Sequence, residues 1–107
     1  MEERLYIKVG KVYHNLALKN IQFIHTEGNY SVLHTTGQKF VVKTSLAKLE
    51  KQLPNGTFSR IHRNFVINES AVTKIDTQKN KVYIDKNDLP LGKNYKDQLF
   101  DKMIILS

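Results

Sequence analysis

Apolar and polar residues alternate, or nearly alternate, along Leu5-Tyr6-Ile7-Lys8-Val9 and again along Val12-Tyr13-His14-Asn15-Leu16-Ala17-Leu18, on either side of Gly10-Lys11. A period of two around a glycine-bearing pair predicts a β-hairpin. Lys19-Asn20 interrupts the pattern before Ile21-Gln22-Phe23-Ile24-His25. Glu27-Gly28-Asn29, whose glycine and asparagine tolerate positive φ, then turns the chain into the strand-like Tyr30-Ser31-Val32-Leu33-His34. Thr36-Gly37-Gln38 forms a further turn before Lys39-Phe40-Val41-Val42-Lys43. Short strands separated by regular turns predict a mainly β domain rather than alternating β and α units.

The period changes at Thr44-Ser45. Leu46, Leu49 and Leu53 recur at helical spacing, Ser45 is placed as an N-cap, and Pro54-Asn55-Gly56 stops the run, which predicts a helix of about two turns near residues 45–53. Its leucines are expected to close one end of the β core. Phe58 to Asn68 follows, and Val66-Ile67-Asn68 and Val72-Thr73-Lys74-Ile75-Asp76 read as strands. Polar turns at Gln78-Lys79-Asn80-Lys81 and Asp85-Lys86-Asn87-Asp88 bracket Val82-Tyr83-Ile84 and lead to Leu89-Pro90-Leu91. Pro90 has no N–H for a ladder, so that strand is expected at an edge. Tyr95, Leu99 and Met103, spaced by four with Phe100 and Ile104 beside them, predict a C-terminal helix near residues 94–104. No repeat or linker divides the chain, which is read as one domain over residues 1–107.

Composition narrows the chemistry. A chain of 107 residues buries roughly 65% of its unfolded surface and needs no staples. It has no cysteine, which excludes disulfides, a thiol nucleophile and Cys-ligated zinc. No apolar run approaches the ~20 residues of a membrane span, and the expectation is a soluble, cytoplasmic protein. The formal net charge is +7. Between Asn29 and Asn68 the basic residues are Lys39, Lys43, Lys48, Lys51, Arg60 and Arg63, and the sole acid is Glu50. Such a surface attracts a polyanion.

Catalysis finds little support. His14, His25, His34 and His62 and the serines fall in no nucleophile elbow, paired-carboxylate pattern, phosphate-cradling glycine loop or zinc-binding spacing. His25 and His34 flank a predicted hairpin and are placed to approach each other, but two histidines without a third ligand make a poor metal site. No enzyme, metal or organic cofactor is expected. Phe58-Ser59-Arg60-Ile61-His62-Arg63-Asn64-Phe65-Val66-Ile67-Asn68 is the informative stretch. Arg60, His62 and Arg63 stand directly before an apolar run that must enter the core, and a buried anchor defines where an exposed cationic turn points. In a regular strand Arg60 and His62 share a face and Arg63 takes the other; a local turn brings all three to one partner. Guanidinium groups donate bidentately to phosphate or to guanine.

At this point the chain resembles the LytTR DNA-binding domain family. The resemblance rests on Ile21-Gln22-Phe23-Ile24 with Glu27-Gly28-Asn29-Tyr30, on Ser45-Leu46-Ala47-Lys48-Leu49 with Leu53, on Phe58 to Asn68, and on Leu89-Pro90-Leu91-Gly92-Lys93-Asn94-Tyr95. The Phe-x-Arg-x-His-Arg run is its most specific part. It implies an elongated, mainly β arrangement of about ten short strands in small antiparallel sheets, with a short helix, and DNA docking by loops that enter successive major grooves of a bent duplex. Carried across, Asn29 and Tyr30 in a first loop, Arg63 in a second and Lys93 in a third would contact bases. Arg60, His62, Asn64, Asn94, Lys39 and Lys43 would meet the DNA backbone or support the loops. Where the family often has Arg, this chain has Lys93, and where it often has Ser, this chain has Asn64 and Gly92.

The resemblance further implies a bacterial transcription regulator that binds paired direct repeats of double-stranded DNA as a homodimer, often behind an upstream receiver domain; residues 1–4 would be linker. Two other readings stay open. One is an RNA or single-strand binder stacking bases on Tyr13, Tyr30 or Tyr83. The other is an anion-directed protein-interaction or membrane-surface module, which would bind polyanions without discriminating bases.

Overall fold

The N-terminal alternation folds as a hairpin in the computed structural model, which describes residues 3–54 and 56–107: β1 (Arg4–Val9) and β2 (Val12–Ala17) pair antiparallel, with Val9 opposite Val12. Met1 and Glu2 of the expected linker, and Asn55 of the helix-stopping turn, lie outside the described residues. Next come β3 (Ile21–Glu27), β4 (Tyr30–Thr35), β5 (Lys39–Val42), α1 (Leu46–Gln52), β6 (Phe58–His62) and β7 (Phe65–Asn68). The chain continues through β8 (Lys74–Asp76), β9 (Lys81–Ile84), β10 (Asn87–Pro90) and α2 (Lys93–Asp101). The ten strands form three antiparallel sheets: β1-β2, β5-β4-β3-β7-β6 and β10-β9-β8. The molecule is elongated, 49 × 34 × 26 Å.

The five-stranded sheet separates two cores. On one face Ile24, Leu33, Phe40 and Val66 pack with Leu46, Leu49 and Leu53 of the α1 segment and with Ile7 of the hairpin. On the other, Phe23, Ile61 and Ile67 pack with Val82, Ile84 and Leu89 of the small sheet and with Leu99 of α2. Burial on both faces is why the adjacent Phe23 and Ile24 of the central strand β3 are both buried, one in each core. Ile21 and Ile24, three apart, would face opposite ways in a regular strand. A register shift between Ile21 and Phe23 lets both join the α1 core.

Local signals account for most boundaries. Ser45 caps α1, its Oγ accepting the Lys48 N–H at 3.2 Å. Pro90 ends β10, an edge strand as expected. Asn80 and Asp85 take the left-handed conformation (φ 54° each) at the turns on either side of β9, a role their short polar side chains permit. As a result β10 starts at Asn87, inside the stretch read as a turn. The C-terminal helix is also shorter than expected. It ends at Asp101, Met103 is only half-buried against the second core, and Ile104 is 97% exposed. Apolar residues at helical spacing do not sustain a helix once no surface remains for them to cover.

Candidate nucleic-acid interface

Three turns carry the exposed polar residues singled out from the sequence, and hydrogen bonds link each turn to the next. The first is the Gly28-Asn29 turn between β3 and β4, where Glu27 pairs with Tyr30. Gly28 sits at φ 59°, which only glycine adopts without cost. Asn29 is exposed, and Tyr30 is 46% exposed. The second is the Arg63-Asn64 turn between β6 and β7, with Arg63 exposed. The third runs from Leu91 into α2 and exposes Lys93 and Asn94.

The first two turns are joined by Thr26, whose N–H donates to the Asn64 carbonyl at 3.1 Å and whose hydroxyl reaches Asn64 Oδ1 at 3.2 Å. The third is hung on β6 by the Gly92 N–H, which donates to the Ile61 carbonyl at 2.7 Å. Between the first and second turns lies an open hollow of ≈ 450 Å³, edged by Asn29, Thr44, Ser45, Ala47 and Arg63.

The basic cluster divides its work. β6 is bulged between Arg60 and His62: Arg60 lies opposite Val66, on the α1 face, whereas His62 lies opposite Phe65, on the other. The shared face expected for a regular strand is therefore absent, because the bulge reverses the alternation. Arg60 is turned inward. Its Nε donates to the His62 carbonyl at 2.9 Å, one terminal nitrogen to the Arg63 carbonyl, and the other to Glu50 Oε1 on α1 at 2.8 Å. His62 Nδ1 accepts the Asn64 N–H at 3.1 Å, which assigns the proton of the neutral ring to Nε2, a donor. Of the three, Arg63 is the one whose side chain stands clear in solvent.

The lysines of β5 are not equivalent. Val42 pairs with Ser31 beside the first turn, and the Ser31 hydroxyl donates to the Thr44 carbonyl at 2.8 Å, which puts Lys43 at the end of the sheet that carries that turn. Lys39 pairs with His34, about 10 Å further from the turn at the rise of a strand.

His25 and His34 do meet, Nδ1 to Nε2 at 2.8 Å, and His25 Nε2 reaches Glu27 Oε1 at 3.1 Å. With His25 Nε2–H donating to the carboxylate, His34 Nε2–H donates to His25 Nδ1 when both rings are neutral, and His34 Nε2 would instead accept from Nδ1–H of a doubly protonated His25. Burial, reinforced by the charges of His25 and Lys39, pushes His34 from 6.5 down to about 4. The His25 hydrogen bond and charge hold Glu27 below the usual carboxylate value. Among the described residues no group of three such side chains gathers as a metal site.

Glu50 and Thr26, which hydrogen-bond to the turns or to Arg60, and Asn68, which ties the end of β7 to β3, escaped the sequence reading. Glu50 left one trace, as the sole acid in a basic window. Asn68 is 1% exposed, donates Nδ2–H to the Ile21 carbonyl at 2.9 Å and accepts from the Ser70 N–H and hydroxyl. Tyr13, Tyr30 and Tyr83 lie on three different sheets. Among the described residues no helix is long and apolar enough to cross a membrane.

Residues 11–104 match the family described as LytTr DNA-binding domain. The sensory transduction protein LytT of Bacillus subtilis (strain 168) is 28% identical over 102 residues, covering 92% of this chain and 42% of LytT. The transcriptional regulatory protein LytR of Staphylococcus aureus (strain MW2) is 29% identical over 83 residues, covering 78% of this chain and 34% of LytR. The chain thus spans less than half the length of these curated relatives. A solved LytTr DNA-binding domain from Bacillus cereus shares the fold, with a TM-score of 0.80 at 18% identity, covering 95% of this chain and 97% of that one.

Proposed function

Because the chain belongs to the LytTr DNA-binding domain family, we propose that it is the sequence-specific, double-stranded-DNA-binding effector domain of a bacterial transcription regulator, acting in the cytoplasm. The observation that carries this is the chain of three hydrogen-bonded turns, which presents Asn29, Tyr30, Arg63 and Lys93 from rigid strand and helix ends. Side chains held from rigid elements discriminate better than side chains on free loops.

The turns enter successive major grooves. Arg63 donates its fork to guanine O6 and N7, and Asn29 pairs with an adenine edge. Lys93 acts as a point charge without a fork, toward guanine or phosphate. Lys43, Asn94 and the Nε2–H of His62 meet the phosphate backbone, which sets register and supplies most of the affinity through counterion release. Three grooves along one face require bending, and the cost of bending adds readout at positions the protein does not touch. No bond is made or broken. The relatives named for sensory transduction and transcriptional regulation are more than twice the length this chain covers, which leaves room in such a protein for a receiver domain; in this reading two copies bind paired direct repeats.

The test is selection of the purified chain against a random double-stranded pool at near-physiological salt. Enrichment of a repeated motif is the expected result. Salt-sensitive binding without any enriched motif would overturn sequence-specific reading and leave a basic, anion-binding module; preference for single strands in competition would point to RNA or single-stranded DNA.

A further inference from the structure

We propose that Glu50 and Arg60 are a positioning pair that sets base discrimination by holding the Arg63 turn, and that Arg60 is not itself a DNA ligand. This rests on the DNA-reading function proposed above. Three of the five N–H groups of Arg60 are used within the protein: Nε and one terminal nitrogen hold the His62 and Arg63 carbonyls, on the peptides either side of the Arg63 Cα, and the other terminal nitrogen is held by Glu50. The Arg63 carbonyl lies in the turn, beyond the ladder that ends with His62 opposite Phe65, and a planar fork reaching both carbonyls fixes their relative orientation. Glu50 orients the fork from the exposed face of α1, while Leu49 beside it is buried in the core. The position of α1 is thereby transmitted to the direction in which Arg63 leaves the surface.

The charge logic gives the pair a signature. Glu50 is the single acid among six bases between Asn29 and Asn68. If it served only as a local charge, its removal would tighten binding to every duplex alike. As a positioning residue, its removal weakens binding to the preferred duplex relative to any other.

The experiment measures wild type, Glu50→Gln and Arg60→Gln on the duplex enriched by wild type and on a scrambled duplex, across a salt series. Thermal melts score folding, and amide spectra of the free proteins cover residues 61–65. The expected result for both variants is at least a fivefold fall in the ratio of preferred to scrambled affinity. The salt slope on scrambled DNA should be unchanged, and the amide shifts should be concentrated at His62, Arg63 and Asn64. A salt slope reduced by about 0.9 in Arg60→Gln, with the ratio intact, would make Arg60 a phosphate contact and overturn the proposal. Equal tightening on both duplexes in Glu50→Gln would overturn it as well. A wild type that does not distinguish the duplexes would sink the DNA-reading function instead, and the amide shifts would then decide the clamp alone. Should Arg60→Gln melt before it can be assayed, Glu50→Gln, altered only at the surface, carries the test.

Discussion

Gly92 gives its backbone N–H to the carbonyl of Ile61 at 2.7 Å, so the turn that exposes Lys93 hangs from the strand that delivers Arg63. Ile61 is fully buried, and one rigid point therefore sets the spacing between two of the three candidate reading turns. Gly92 is also the N-cap of α2, without a side chain to cap it.

Substitution at Gly92 should separate capping from crowding. A Cβ there would meet the Tyr95 ring at 3.1 Å and the Ile61 carbonyl at 3.4 Å, with no backbone strain because φ is −75°. The half-exposed Tyr95 ring can give way. Gly92→Ser should be neutral or more stable by a few tenths of a kcal/mol, because serine caps better than glycine. Gly92→Ala, which adds the same crowding without a cap, should cost about 0.5–1 kcal/mol. Urea midpoints check this; equal losses in both would show that crowding, not capping, governs the site.

Arg63→Ala should lose about 1–3 kcal/mol on the preferred duplex and clearly less on random DNA, as loss of a base contact does. Competition titrations on the two DNAs measure it, and equal losses would reassign Arg63 to phosphate.

Lys43→Ala should weaken all duplexes alike and lower the salt slope by about 0.9, as expected for one phosphate contact. Lys39→Ala, at the other end of β5, should follow the same pattern with a smaller effect. The slope of log affinity against log salt is the measurement, and an unchanged slope for Lys43→Ala would take that residue out of the interface.

Acid should destabilise the fold through His34. The ring titrates at about 4 in the folded chain and near 6.5 when free, so the unfolded state takes up the proton first as pH falls. Its contribution is complete above about pH 7 and is lost between pH 6.5 and 4. The loss should be about 1–2 kcal/mol, less than the full shift implies because the ring is partly solvated. Glu27, whose pKa is lowered, acts in the same direction at the acid end of that window, its stabilisation being lost as it protonates. Denaturant midpoints of wild type and His34→Gln at pH 7 and pH 4.5 test this. A difference between the two proteins that does not vary with pH would count against it.

Asn68→Ala should cost about 1–3 kcal/mol, because it strands the carbonyl of the fully buried Ile21, whereas the N–H of the exposed Ser70 can turn to water. Base preference, judged by selection at a temperature where the variant is folded, should not change. A changed motif would place Asn68 in the reading machinery.

Much of this protein could be read along the chain. Period-two alternation and Gly, Asn and Pro at the turns located the strands, and leucines at helical spacing behind Ser45 located α1. The Phe-x-Arg-x-His-Arg run pointed to the family. These are local properties: a backbone conformation, a cap or a side-chain period is decided within a few residues. The tertiary structure decided what depends on residues far apart. A bulge in β6, opposite β7, put Arg60 and His62 on opposite faces and turned the Arg60 guanidinium toward the His62 and Arg63 carbonyls. Glu50, ten residues earlier, became its partner only because α1 packs over that face. His25 meets His34 at a distance set by strand register, and Gly92 meets Ile61 because the small sheet and α2 pack on the second core. Register, sheet order and bulges fix which side chains meet, and a one-residue shift in any of them exchanges one face for the other.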